Sequence, residues 1–226
     1  MLRNHTLLHL SALAVASIAA IEPCCAAQSA PGGSREAQPD QPLPVDPAQI
    51  VSSEPAPGAW QLDFKLGELR LYQDPVTQEA YWYLTYKVVN RTGQDRWWGP
   101  KFELYDDRGG LARSGRNVPV IVSKRIESLL GNPLVEDQYQ VLGEIRQGEA
   151  NAKEGFVVWP AGAAESTELT IFVRGVSSEV KAIPDPKSGE ARQLHKTVKF
   201  EFRVSGDPRA RGSQPVPCEQ TQWIMR

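Results

Sequence analysis

The sequence predicts an all-β protein, an antiparallel β-sandwich, and three observations carry that expectation. Residues 80–110 contain two alternating segments joined by a polar connection, with turn residues after each. Further short apolar segments follow, bounded by Gly, Pro and Ser clusters. Near the end, Val198, Phe200, Phe202 and Val204 alternate cleanly with Lys199, Glu201 and Arg203.

Taken in order, the first strand holds Trp60, Leu62, Phe64 and Leu66 on one parity, and Leu69 and Leu71 on the other. The slip falls at Gly67-Glu68, where a β-bulge would absorb one extra residue. In the next strand, Ala80–Asn90, Trp82, Leu84, Tyr86 and Val88 should face the core. Tyr81, Tyr83, Thr85 and Lys87 should face a wetter side. Asn90-Arg91-Thr92-Gly93 stops it with turn formers. Lys101–Asp107 is the third strand. After Pro119 the period changes. Val122, Ile126, Leu129 and Leu130 line one helical face, and Gly131-Asn132-Pro133 ends it. Gln138–Ile145, Gly155–Trp159 and Glu168–Arg174 complete the set before the last strand. Seven strands with turns between them favour an immunoglobulin-like sandwich with one short inserted helix over a closed barrel.

The ends of the chain read differently. Arg3 followed by the apolar run Leu7 to Ile21 and by Cys25-Ala26-Ala27 has the layout of a secretory signal cleaved after Ala27. The run is shorter than the roughly 20 apolar residues a membrane helix needs, and no later segment approaches that length. Ile21-Glu22-Pro23 ahead of Cys24 does not fit a lipidation site, so no lipid anchor is expected. Residues 28–58 carry seven prolines and no aromatic residue, the composition of a disordered linker, either a spacer or a free tail. The domain is expected over 59–206, with a polar tail over 207–226 whose Trp223-Ile224-Met225 either folds back on the sheet or frays. A periplasmic or extracellular protein is therefore expected.

Formal net charge is −2, and it stays −2 without residues 1–27 because Arg3 and Glu22 leave together. With basic residues scattered along the sequence, nucleic acid is not an expected partner. Phe102-Glu103-Leu104-Tyr105-Asp106 spells FELYD. With Val88 to Gly93 before it, the Asp106-Asp107-Arg108-Gly109 turn after it, and Gln147-Gly148-Glu149 leading into 155–160 and 169–173, residues 60–205 resemble the FxLYD-type and telokin-like immunoglobulin-fold domains of secreted bacterial proteins. The resemblance implies a non-catalytic binding or assembly module at the cell envelope. The insertion Leu111–Leu142 departs from that pattern, and the pattern supplies no catalytic residue to carry over.

The chemistry expected is correspondingly sparse. Beyond residue 27 there is one histidine, His195, and one cysteine, Cys218, with no nucleophile elbow or metal-ligand spacing. No catalytic residue, metal or cofactor is assigned, and a hydrolase is the most distant reading. Asp106 with Asp107, or Glu136 with Asp137, could offer oxygens to calcium, but Asp before Gly in a turn has an ordinary role capping backbone amides. The candidate binding surface is aromatic: Tyr81 and Tyr83 opposite Trp82, with Trp97 and Trp98 in the following connection. Exposed, such rings would stack on carbohydrate or anchor a protein; covered by the helix or second sheet, they would be core. The helix has two readings as well, a docking element or a plug at one end of the sandwich. A protein partner leads, with carbohydrate as the alternative.

Overall fold

The computed structural model describes residues 49–162, 166–185 and 188–226, which fall in one unit beginning at Val45. The expected signal over 1–27 and most of the linker over 28–58 lie outside the described residues. Among the described residues the architecture is an all-β sandwich with one α-helix. In chain order the elements are β1 (Gln49–Val51), β2 (Asp63–Gln73), β3 (Ala80–Val89), β4 (Arg96–Trp98), β5 (Lys101–Asp106), β6 (Leu111–Arg113) and α1 (Val120–Leu130). Then follow β7 (Val135–Glu136), β8 (Gly143–Ile145), β9 (Lys153–Pro160), β10 (Glu168–Arg174), β11 (Val180–Pro184), β12 (Ala191–Arg203) and β13 (Cys218–Met225).

A large sheet runs β1-β13-β12-β10-β5-β6, with β11 continuing along β12. A small sheet runs β2-β3-β9-β7, and β4 pairs with β8. Between the two main sheets lies the principal core, built from one parity of each strand: Trp82, Leu84, Tyr86 and Val88 from the small sheet meet Phe102, Leu104, Ile171 and Phe200 from the large one. Rings bridge the layers. Phe64 stacks on Tyr86 at 5.3 Å, Tyr86 lies 4.9 Å from Phe102, and Phe64 lies 5.9 Å from Phe200. Gly155 opposite Tyr86 makes room for this, since a Cβ there would stand 2.6 Å from the Tyr86 Oη.

The bulge sits where the phase slip placed it. Leu66 pairs with Tyr86 and Leu69 with Leu84, so β2 carries one extra residue there, held by the Glu68 amide donating to Thr85 Oγ1 at 2.9 Å. Two strands lie beyond the expected 59–206 domain. The 207–226 tail contains β13, which pairs with β12 over Lys196–Phe202, and β1 from the Pro-rich segment pairs with β13 in turn. Trp223 to Met225 therefore folds back as strand, and the sheet reaches past both ends of the expected 59–206 domain. Gln138–Ile145 shrinks to β8, because Asp137 caps the Tyr139 and Gln140 amides at 2.8 and 2.9 Å and turns the chain.

Candidate functional site

The helix decides what becomes of two candidate rings. It lies across the outer face of the small sheet rather than plugging an end of the sandwich. Val122 and Ile126 pack there with Tyr81, Tyr83, Phe156 and Val158, with Leu130 alongside. Leu129, expected in the buried stripe, falls at its margin and is exposed, while Ser123 takes its place. Gly131 closes the helix in the left-handed conformation, φ 61°, its N–H donating to the Glu127 carbonyl.

Tyr81 and Tyr83 are consequently 3% and 2% exposed, and they form no binding surface. The expected wetter face of β3 is dry in this half because α1 covers it. Burial, helped by the hydrogen bond Tyr81 Oη donates to Glu79 at 2.7 Å, pushes the Tyr81 hydroxyl up to about 12. Trp98 is also fully buried, in the principal core with its ring 6.3 Å from Tyr86. Alternation along β4 turns Trp97 the opposite way, 74% exposed. Of the four candidate rings, one reaches the surface.

A buried clamp fixes the helix. Asp74 opens the β2–β3 turn, where its carboxylate accepts the Val76 and Thr77 amides at 2.8 and 3.1 Å and the Arg125 guanidinium from α1. Burial alone would raise the Asp74 carboxyl, but the two amides and Arg125 outweigh it and hold the group below its ordinary range. Other side chains of the insertion are apolar and exposed. Among the described residues, seven of the ten exposed large apolar side chains lie within residues 111–142, among them Ile121, Leu129 and Leu134.

Asp106 and Asp107, offered as oxygen ligands, are taken by local hydrogen bonds, and Glu136 faces Lys153 at 3.6 Å. Asp106 accepts the Arg108 and Gly110 amides at 3.1 and 2.6 Å, and Asp107 accepts the Thr167 amide and hydroxyl at 3.0 and 2.8 Å. His195 pairs with Arg226 in the first half of β12, whereas Cys218 lies opposite Phe202 near its end, about 23 Å of strand away. Those two side chains cannot act on one another.

A site that sequence reading missed lies on the outer face of the large sheet. Lys101, Glu103, Phe172, Arg174, Arg192, Gln193, Thr197 and Arg226 line a cleft of about 330 Å³. Register explains the convergence: Lys101, Arg174 and Thr197 stand directly opposite one another on β5, β10 and β12. Arg226 is committed already. Its guanidinium lies 4.2 Å from the Phe172 ring centre and 2.8 Å from Glu103, and it donates to the Tyr105 hydroxyl. Basic residues scattered in sequence are thus gathered in space. Outward parity of Lys101 and Arg174 was the readable signal; the pairing of β5 with β10 was not.

No family model matches the chain, and no curated protein or solved structure matches it either.

Proposed function

We propose that this chain is an exported, non-catalytic β-sandwich module of immunoglobulin-like type that binds a protein partner in the cell envelope, in the periplasm or outside the cell. The observation that carries the reading is the two-sided insertion. One side of α1 is committed to Tyr81, Tyr83 and Phe156, and the remainder of residues 111–142 presents most of the exposed large apolar side chains among the described residues. A partner would meet these apolar groups, and a contiguous exposed apolar patch is the mark of a contact site. Kinship with the FxLYD-type domains is supported by β5, which carries Phe102–Asp106, and by the Asp106 turn behind it.

Removing the helix would strip the cover from Tyr81 and Tyr83 and confuse loss of fold with loss of binding. The clean test is the triple variant Ile121→Glu, Leu129→Glu, Leu134→Glu, used with the native chain to recover partners from the native envelope. The partner held by the native chain should be lost by the variant while the unfolding temperature stays put. A variant that keeps the partner, or a native chain that recovers none and only self-associates in sedimentation, overturns the reading. Export is tested separately by the mass of the mature chain, expected to begin at Gln28.

A further inference from the structure

The cleft on the large sheet has a charge pattern that folding does not require. Lys101 and Arg174 stand directly opposite on neighbouring strands, an arrangement of like charges that destabilises a sheet. Among the described residues, none of Lys101, Arg174 and Arg192 forms an ion pair. The cleft's own acid, Glu103, is taken by Arg226 at 2.8 Å and by Arg113 at 3.4 Å. Three cations therefore line one small cleft without an ion-pair partner of their own. The wall beneath them is held still: Phe172 meets Tyr105 edge-on at 5.3 Å, and Arg226 covers both rings.

We propose that this cleft binds a phosphoryl-type dianion. Two guanidinium forks and one ammonium group suit the several oxygens and double charge of a phosphoryl group better than the single charge of a carboxylate. A volume of about 330 Å³ admits that group with a small substituent. His195 beside the cleft senses the unbalanced field. Burial lowers its imidazole, and Arg174 and Lys101 lower it further, so it stays neutral where a free histidine would begin to charge.

The same histidine supplies the readout. In the full chain with isotopically labelled histidine, the His195 signal is assigned by its loss in His195→Gln and titrated with pH, with and without inorganic phosphate. Phosphate should saturate and raise the His195 midpoint, because the anion cancels the field of Lys101 and Arg174. Potassium chloride at equal ionic strength, which only screens, should raise it less. Arg174→Gln and Lys101→Gln should each weaken phosphate about tenfold or more without lowering the unfolding temperature, since each also removes a like-charge neighbour. Equal effects of chloride and phosphate overturn the proposal, as do equal affinity for acetate or unchanged affinity in both variants. Vesicles of phosphatidylcholine with and without phosphatidic acid separate the sources. Sedimentation with the acidic vesicles, lost in Arg174→Gln, assigns a lipid headgroup; phosphate binding without sedimentation assigns a soluble phosphoester.

Discussion

The outer face of the small sheet and that of the large sheet start from comparable alternations and end in different environments. On the small sheet, Tyr81, Tyr83, Phe156 and Val158 occupy the outward positions, and α1 seals them into a second core. On the large sheet the outward positions are Lys101, Glu103, Tyr105, Phe172 and Arg174, half-buried or exposed, with no described helix across them. An apolar outward face needs a cover from the same chain, and the insertion provides it. A charged, aromatic outward face can stay wet, so it is the one that remains free for a ligand.

Truncating a ring on each face should expose that difference most strongly. Phe156→Ala removes a fully buried side chain of β9 from the cluster under α1, and should cost about 3–5 kcal/mol. Phe172→Ala removes a half-buried ring whose main partners are Tyr105 and Arg226, and should cost about 1–2 kcal/mol. Denaturant unfolding followed by tryptophan fluorescence measures both. Comparable losses would mean that the helix adds no second core.

How far the sequence discloses this contrast depends on the local pattern. Glu168–Arg174 was readable to the residue because Gly and Ser flank a clean alternation, and the Gly67-Glu68 bulge showed as a parity change. The covering of Tyr81 and Tyr83 also had a signal that alternation alone obscured. Gly155-Phe156-Val157-Val158-Trp159 is a continuous apolar run, the signature of a strand buried on both faces, and its neighbour must share that burial. By contrast, β13 is polar except for Trp223-Ile224-Met225 at its end, and β1 hides among prolines, so the local pattern marks neither as a full strand. The cationic cleft was least legible. Its members come from β5, β10, β12 and Arg226, and only strand pairing brings them together.

Acid should separate the two faces next. The Asp74 carboxyl sits below its ordinary 3.8 in the folded chain, so on acidification the unfolded chain takes up its proton first. Its contribution is complete above that value and fades as the pH falls through the lower folded one. The α1 cover should therefore loosen below about pH 4, seen as loss of near-ultraviolet dichroism from Tyr81 and Tyr83. Asp74→Asn should destabilise the chain at neutral pH and flatten this acid limb. The neutral-pH loss should be smaller than that of Phe156→Ala, because Arg125, its side chain 34% exposed, can turn to water. An unchanged acid limb in the variant would mean that Asp74 does not hold the helix.

The smallest effect is expected at Trp97. Its ring is largely in water, so Trp97→Ser should shift stability by no more than about 0.5 kcal/mol, whereas the adjacent Trp98→Ala should cost about 3–5 kcal/mol. That pair isolates what alternation alone does, since the two side chains share a sequence position to within one residue and differ only in the face they enter. The same variant also tests the carbohydrate reading, which now rests on this one ring. Fluorescence titration with peptidoglycan or polysaccharide fragments should give no response that Trp97→Ser removes. A saturable response lost with Trp97 would make it a sugar platform and shift the binding function away from the insertion.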